Sequence, residues 1–115
     1  GDLPGAAGFV KNIRDARNSL APVALPVYAS EAAAIGDLLD ERRKELCFEG
    51  FRYLDIKRLG TLGNRAIERD ATDDQIKSLP LTLPNADYRL RSLPIPQSEV
   101  SGNPTIQQNP GYGGN

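Results

Sequence analysis

The chain has 115 residues, with 14 lysines and arginines against 15 acidic residues, and it has one cysteine and no histidine, tryptophan or methionine. A net charge of -1 lacks the basic footprint that phosphate-backbone binding needs, which argues against a nucleic-acid partner. The lone Cys47 can make neither an internal disulfide nor a CxxC metal site, and the commonest general base and zinc ligand are both missing, so composition leans away from catalysis.

Phe9, Ile13, Ala16 and Leu20 fall on one face of a helix, which predicts a short helix over about 9–20. Ala21-Pro22 ends it, because proline disfavours helical geometry in the residue before it. Pro22 to Tyr28 reads as an extended connection. Ser30 is the expected N-cap of a second helix, with Glu31 placed where the helix dipole favours a negative charge. The pattern predicts one long helix over about 31–59, with Gly36 as a weak point, Gly50 as a kink and Gly60 as the C-cap. No stretch is apolar and long enough to span a bilayer at ~20 residues, and Gly1-Asp2-Leu3-Pro4-Gly5 does not read as a signal peptide.

Residues 60–115 read as a loop-rich tail. Tyr88-Arg89-Leu90-Arg91 alternates apolar and charged residues, as a short strand does. Leu93-Pro94-Ile95-Pro96 is a stiff extended segment, and Ser98-Glu99 opens one helical turn. Asn109-Pro110-Gly111-Tyr112 has the residues of a type II turn.

In the second half of the long helix the apolar side chains Leu46, Phe48, Phe51, Tyr53, Leu54, Ile56 and Leu59 point in every direction around the axis. Such a helix is expected to be buried all round. The tail carries too few large apolar groups to enclose it. The expectation is therefore the end of a larger domain, or a chain packed against a partner, with no complete independent domain in these 115 residues.

Asp40-Glu41-Arg42-Arg43-Lys44-Glu45 continues as a ladder through Glu49, Arg52, Asp55 and Arg58. Arg43 and Lys44 suit a solvated face with local pairs. The ladder drifts around the helix, so Glu49, Arg52, Asp55 and Arg58 are candidates for buried ion pairs. Glu45 with Glu49, or Glu49 with Asp55, could serve as the acid and base of a glycoside hydrolase. An arginine three residues away favours the ionised form of each carboxylate, which disfavours a general acid. Cys47, between Leu46 and Phe48, is expected to be a small buried hydrophobe. Tyr53, Tyr88 and Tyr112 could stack on a sugar; Tyr53 shares the Leu39/Leu46 stripe and is expected in the core, and Tyr112 is equally an anchor.

Glu41-Arg42-Arg43-Lys44-Glu45-Leu46-Cys47-Phe48-Glu49-Gly50-Phe51-Arg52-Tyr53-Leu54-Asp55-Ile56-Lys57-Arg58-Leu59-Gly60 resembles the signature helix of the SusD/RagB family of outer-membrane nutrient-binding lipoproteins. Leu93-Pro94-Ile95-Pro96-Gln97-Ser98-Glu99, then Asn103-Pro104, then Gln108-Asn109-Pro110-Gly111-Tyr112, is similar to that family's carboxy-terminal ending. Phe51, Ile56 and Cys47 depart from the commonest residues without changing the chemistry. The resemblance implies a mainly α fold: the carboxy-terminal part of a SusD-like, tetratricopeptide-type α superhelix with long irregular loops. It implies non-catalytic capture of glycans or other oligomeric nutrients at a Bacteroidetes-type cell surface, and delivery to a TonB-dependent outer-membrane transporter. It implies no cofactor and no metal, and membrane association only through an upstream lipid anchor. No ligand-binding residue of the family carries over to this segment, so the matched positions are assigned a scaffold role. A purely structural helical interaction module is the other non-enzymatic reading.

Overall fold

A computed structural model of the chain describes residues 1–68, 70, 72, 82–84, 87, 89 and 92–112. It is mainly helical and divides into two compact units, residues 1–65 and 66–115.

The first unit holds α1 (Leu3–Arg17), α2 (Glu31–Glu45) and α3 (Phe51–Leu59). α1 starts six residues before the periodicity suggests, because Asp2 and Pro4 form a start signal. Asp2 Oδ1 accepts the Gly5 N–H at 2.9 Å, and proline at the helix start gives up a donor that has no partner there anyway. α1 stops at Arg17, three residues short of expectation. The Asn18 N–H bonds to Arg14 O and its side chain donates to Ala21 O, which turns the chain before Pro22. The predicted stripe is not the covered face: Ala7 and Val10 are buried, whereas Phe9 is 74% and Leu20 98% exposed.

Residues 22–28 connect the two helices without helix or strand of their own. Asp15 Oδ1 accepts the Val23 N–H at 3.0 Å, and the Tyr28 hydroxyl donates to Asp37 Oδ2 at 2.7 Å. This return strap lets α2 start beside the start of α1, so the two helices run parallel: Arg14 bonds Asp37 and Glu41, and Arg17 bonds Glu45. Ser30 caps α2 by accepting the Ala33 N–H at 3.1 Å.

The single helix over 31–59 is corrected to two helices separated by residues 46–50. Gly50 (φ +79°) and Phe48 (φ +68°) both adopt the left-handed conformation, which reverses the chain and ends α2. Glycine does this freely, whereas a bulky aromatic there is a strained exception. α3 turns back along α2, and the chain after it reaches the level of Gly36.

Gly60 is the C-cap of α3, as predicted, although in the right-handed conformation (φ -57°) and not the left-handed one. The left-handed residue is Asn64 (φ +50°), in the turn that follows, with the Arg65 N–H reaching back to Gly60 O at 2.8 Å. That six-to-one bond is the Schellman pattern, with asparagine in place of the usual glycine.

The all-round burial expected of 41–60 is not what residues 1–65 provide. Leu39 and Ile56 are 0% and 1% exposed, but Phe48, Phe51, Tyr53 and Leu54 lie open on the other faces. Cys47 is exposed, not a buried hydrophobe, because it sits on the reversing turn and not inside a helix.

Gly36 is a contact point, where sequence suggests only weakness. A Cβ there would lie 2.7 Å from Gly63 O, and one on Gly63 would lie 2.8 Å from Ile35 Cγ2. Gly36→Ala is therefore expected to lose up to about 2 kcal/mol, because the overpacking cost of about 1–3 kcal/mol is offset only in part by the ~1 kcal/mol gain in helix propensity. Gly8→Ala, whose Cβ meets nothing within 4 Å, gains that ~1 kcal/mol undiminished. Urea unfolding of both variants checks the opposite signs.

In the second unit β1 (Ile67–Glu68) and β2 (Thr82–Leu83) pair antiparallel, Ile67 opposite Leu83. The strand expected at 88–91 falls largely outside the described residues. α4 (Gln97–Gly102) is the helical turn expected near Ser98. Pro94 and Pro96 leave Ile95 as the one N–H donor between them. Gln108 takes both of its backbone groups: Ile95 N–H to Oε1 at 2.7 Å, and Nε2 to Ile95 O at 2.8 Å. Asn109 Nδ2 donates to Leu93 O, and the Tyr112 hydroxyl to Ser92 O at 2.8 Å. The turn at 109–112 is type II as predicted, with Gly111 at φ +86°. The two halves of the ending are thus one clasp, in which a carboxamide replaces a missing strand neighbour. Gln108→Ala is expected to speed amide exchange at Ile95 about ten-fold, from a net loss of about 1–2 kcal/mol; an unchanged rate contradicts the clasp.

Candidate functional site

The charged run of α2 projects in several directions, and its members find distant partners. Arg14 Nε donates to Glu41 Oε2 at 2.8 Å and its Nη2 to Asp37 Oδ1 at 2.6 Å. Arg65 grips Asp40 through Nε and Nη2 at 3.0 and 2.7 Å. Arg42 grips Asp55 of α3 through Nε at 2.8 Å and Nη2 at 3.2 Å, and Arg58 adds a bond at 3.0 Å. Lys44 makes the local pair with Glu41 at 3.4 Å, and Arg43 lies exposed as expected.

The proposed partners within the ladder are therefore rearranged. Asp55 is buried and paired, and Arg58 is its exposed partner. Among the described residues Arg52 binds no carboxylate; its Nη1 donates to Leu39 O at 2.9 Å. Glu49 stands exposed on the α2–α3 turn, outside every ion pair formed among the described residues. Steps of three along the sequence suggested neighbours on one helix, but the break at 46–50 removes Glu49 from that surface.

Electrostatics follow from these contacts. Burial alone would raise Asp37 and Asp55, but the bonds from Tyr28 and Arg14, and from Arg42 and Arg58, outweigh it and hold both below the usual carboxylate range. Burial, helped by the Asp37 carboxylate, pushes the Tyr28 hydroxyl up to about 12. Arg14 is raised by its bonds to Asp37 and Glu41, and Arg52 is lowered by burial and then by Arg43. Near neutral pH Asp37, Asp55 and Arg14 are thus held in their charged forms and Tyr28 in its neutral form, and their contacts brace the helices.

Glu45 is engaged by Arg17, and neither Glu45 nor Glu49 lines the groove between α1 and α2. Tyr53 is 39% exposed, not in the core, with Lys57 Nζ 5.8 Å above its ring. Tyr112 is an anchor, bonded to Ser92 O and, at 3.3 Å, Arg89 O. Tyr88 lies outside the described residues. Phe48, Phe51 and Leu54 lie open, in keeping with an apolar surface this segment cannot enclose, whereas sequence reasoning missed the open surface made of Phe9, Ile13 and Leu38 on α1 and α2. Among the described residues no helix is long and apolar enough to cross a membrane.

Compared with known protein families, residues 1–112 match the SusD family. No curated protein and no solved structure matches the chain.

Proposed function

This chain belongs to the SusD family, and we propose that it is the carboxy-terminal scaffold of a surface lipoprotein that binds oligomeric nutrients and passes them to a TonB-dependent outer-membrane transporter. Proteins of this family are generally non-catalytic binders of glycans and related nutrients. The match over residues 1–112 is the observation that carries the reading.

Two structural features support it. The buried carboxylate Asp55 and the half-buried Asp37 are committed to arginines that favour the ionised form, the opposite of what a general acid requires. The open apolar surface of α1, α2 and α3 supports a segment whose cover comes from the rest of a larger domain. In this reading the lipid anchor and the nutrient-contacting residues lie in that remainder, and residues 1–112 brace the binding surface.

Isolation of the complete protein from outer membranes tests the reading. The expected result is a transporter barrel in the same complex and saturable binding of at least one class of oligosaccharide or peptide. A complete protein that binds no member of broad panels of either, and no barrel, overturns it.

A further inference from the structure

Arg14, Arg17, Arg42, Lys44, Arg58 and Arg65 each hold a carboxylate of the first unit. Among the described residues Arg43 and Arg52 hold none. Arg52 Nη1 donates to Leu39 O. Helix geometry assigns that same carbonyl to the N–H of residue 43, so the Arg52 guanidinium lies against the turn of α2 that carries Arg43. Arg43 is, after burial, the main cause of the lowered Arg52 pKa, which places the two like charges close together. The acids near Arg52 do not answer them. Asp40 takes Nε and Nη2 of Arg65, and Asp55 takes Arg42 and Arg58. Arg52 is half-buried, and its bond goes to a neutral acceptor that is already shared. A partly desolvated cation beside a second cation is a place that favours an anion. There is room next to it. Arg43 lines an open recess of ≈ 640 Å³ together with Asp37, Asp40, Lys44 and Cys47. The two acids of that recess are already paired, Asp37 with Arg14 and Asp40 with Arg65, so they do little to repel an anion.

We propose that Arg43 and Arg52 bind the carboxylate of an acidic sugar, whose ring lies in the recess beside Arg43. The proposal rests on the reading of the protein as a binder of oligomeric nutrients, and it names one class of them: glycans that contain uronic acids. A guanidinium offers paired N–H donors in one plane, the geometry that a carboxylate accepts. Arg52, held by Leu39 O, is the fixed half of the site, and the exposed Arg43 is the half that closes on the ligand. The carboxylate oxygens of Asp37 and Asp40 face the same recess and have lone pairs left for sugar hydroxyls. The site adds to the nutrient contacts made by the rest of the protein and does not replace them.

The test treats the complete protein with phenylglyoxal, which modifies arginine guanidinium groups, and reads each modified position by mass spectrometry. The probes are sodium glucuronate, sodium acetate and glucose. The expected result is that Arg43 and Arg52 react in the free protein, and that about 20 mM glucuronate slows both about five-fold, as a Kd of about 5 mM requires. Glucose leaves both rates unchanged, acetate protects less than glucuronate, and added sodium chloride weakens the protection. Arg43→Gln removes an exposed side chain that has no carboxylate partner among the described residues, so the fold survives it and the protection of Arg52 is lost. The proposal is overturned if Arg52 is unreactive in the free protein, because another part of the polypeptide then already covers it. It is equally overturned if glucuronate protects neither arginine, if acetate or glucose protects as well as glucuronate, or if Arg52 stays protected in Arg43→Gln. A complete protein that binds no oligosaccharide and no barrel, yet shows the glucuronate protection, strikes the functional reading and leaves this site standing.

Discussion

Leu39→Ala is expected to lower the stability of the first unit by about 3 kcal/mol, within the 2–5 kcal/mol typical of such truncations. Leu39 is 0% exposed and sits where three segments meet. Its own helix supplies it, Arg52 of α3 donates to its carbonyl, and a Cβ on Gly63 would lie 3.0 Å from its Cδ1. The loss has two parts: transfer of the missing atoms, and a cavity that this contact at Gly63 cannot close by rotation of a side chain. Urea unfolding should show a lower midpoint with an unchanged slope. A loss below about 1 kcal/mol would mean that α3 and the following turn do not pack on α2 as described.

Arg42→Met carries the second large effect, about 2–3 kcal/mol. It removes two bonds from the Asp55 carboxylate, whose side chain is only 4% exposed, and leaves Arg58 as its remaining charged partner. The figure is set below the 3–5 kcal/mol of a fully buried broken pair because the Arg42 side chain is 36% exposed and water screens it. Adding Asp55→Asn to Arg42→Met removes the stranded charge and should recover part of the loss, a coupling that a double-mutant cycle isolates.

The same pair fixes the response to acid. Asp55 and Asp37 have folded-state pKa values below the ordinary carboxylate range, so the unfolded chain binds more protons than the folded one between the two values. Their contribution is complete above the unfolded pKa of about 4 and is lost as pH falls through the folded values. Stability is thus expected to be flat from about pH 5 to 7 and to fall below about pH 4, with a shallower acid limb in Asp55→Asn.

Local signals in the sequence marked local structure well. Ser30 opens α2, Pro22 follows the end of α1, and Asn109-Pro110-Gly111-Tyr112 makes its turn, because each depends on a few adjacent residues. The family motifs were legible for the same reason, as unbroken strings. The reversal at 46–50 was not, since Phe48 has no composition that announces a left-handed backbone. Gly60 caps α3 as its residue type announces, but the left-handed residue is Asn64, which takes the conformation that glycine usually does. The ion pairs were hidden by distance along the chain. Arg42 meets Asp55 thirteen residues away and Arg14 meets Glu41 twenty-seven away, whereas a periodicity argument weighs only three or four. Gly36 against Gly63 is of the same kind: only the folded hairpin brings the two together.

Non-catalytic binding by a charge-braced scaffold is the claim on which these points converge. The most direct test incubates the complete protein with a panel of oligosaccharides and follows binding and reducing ends over time. No new reducing ends are expected, and Glu45→Gln and Glu49→Gln should leave the affinity unchanged. A steady release of reducing ends that either substitution abolishes would contradict the account.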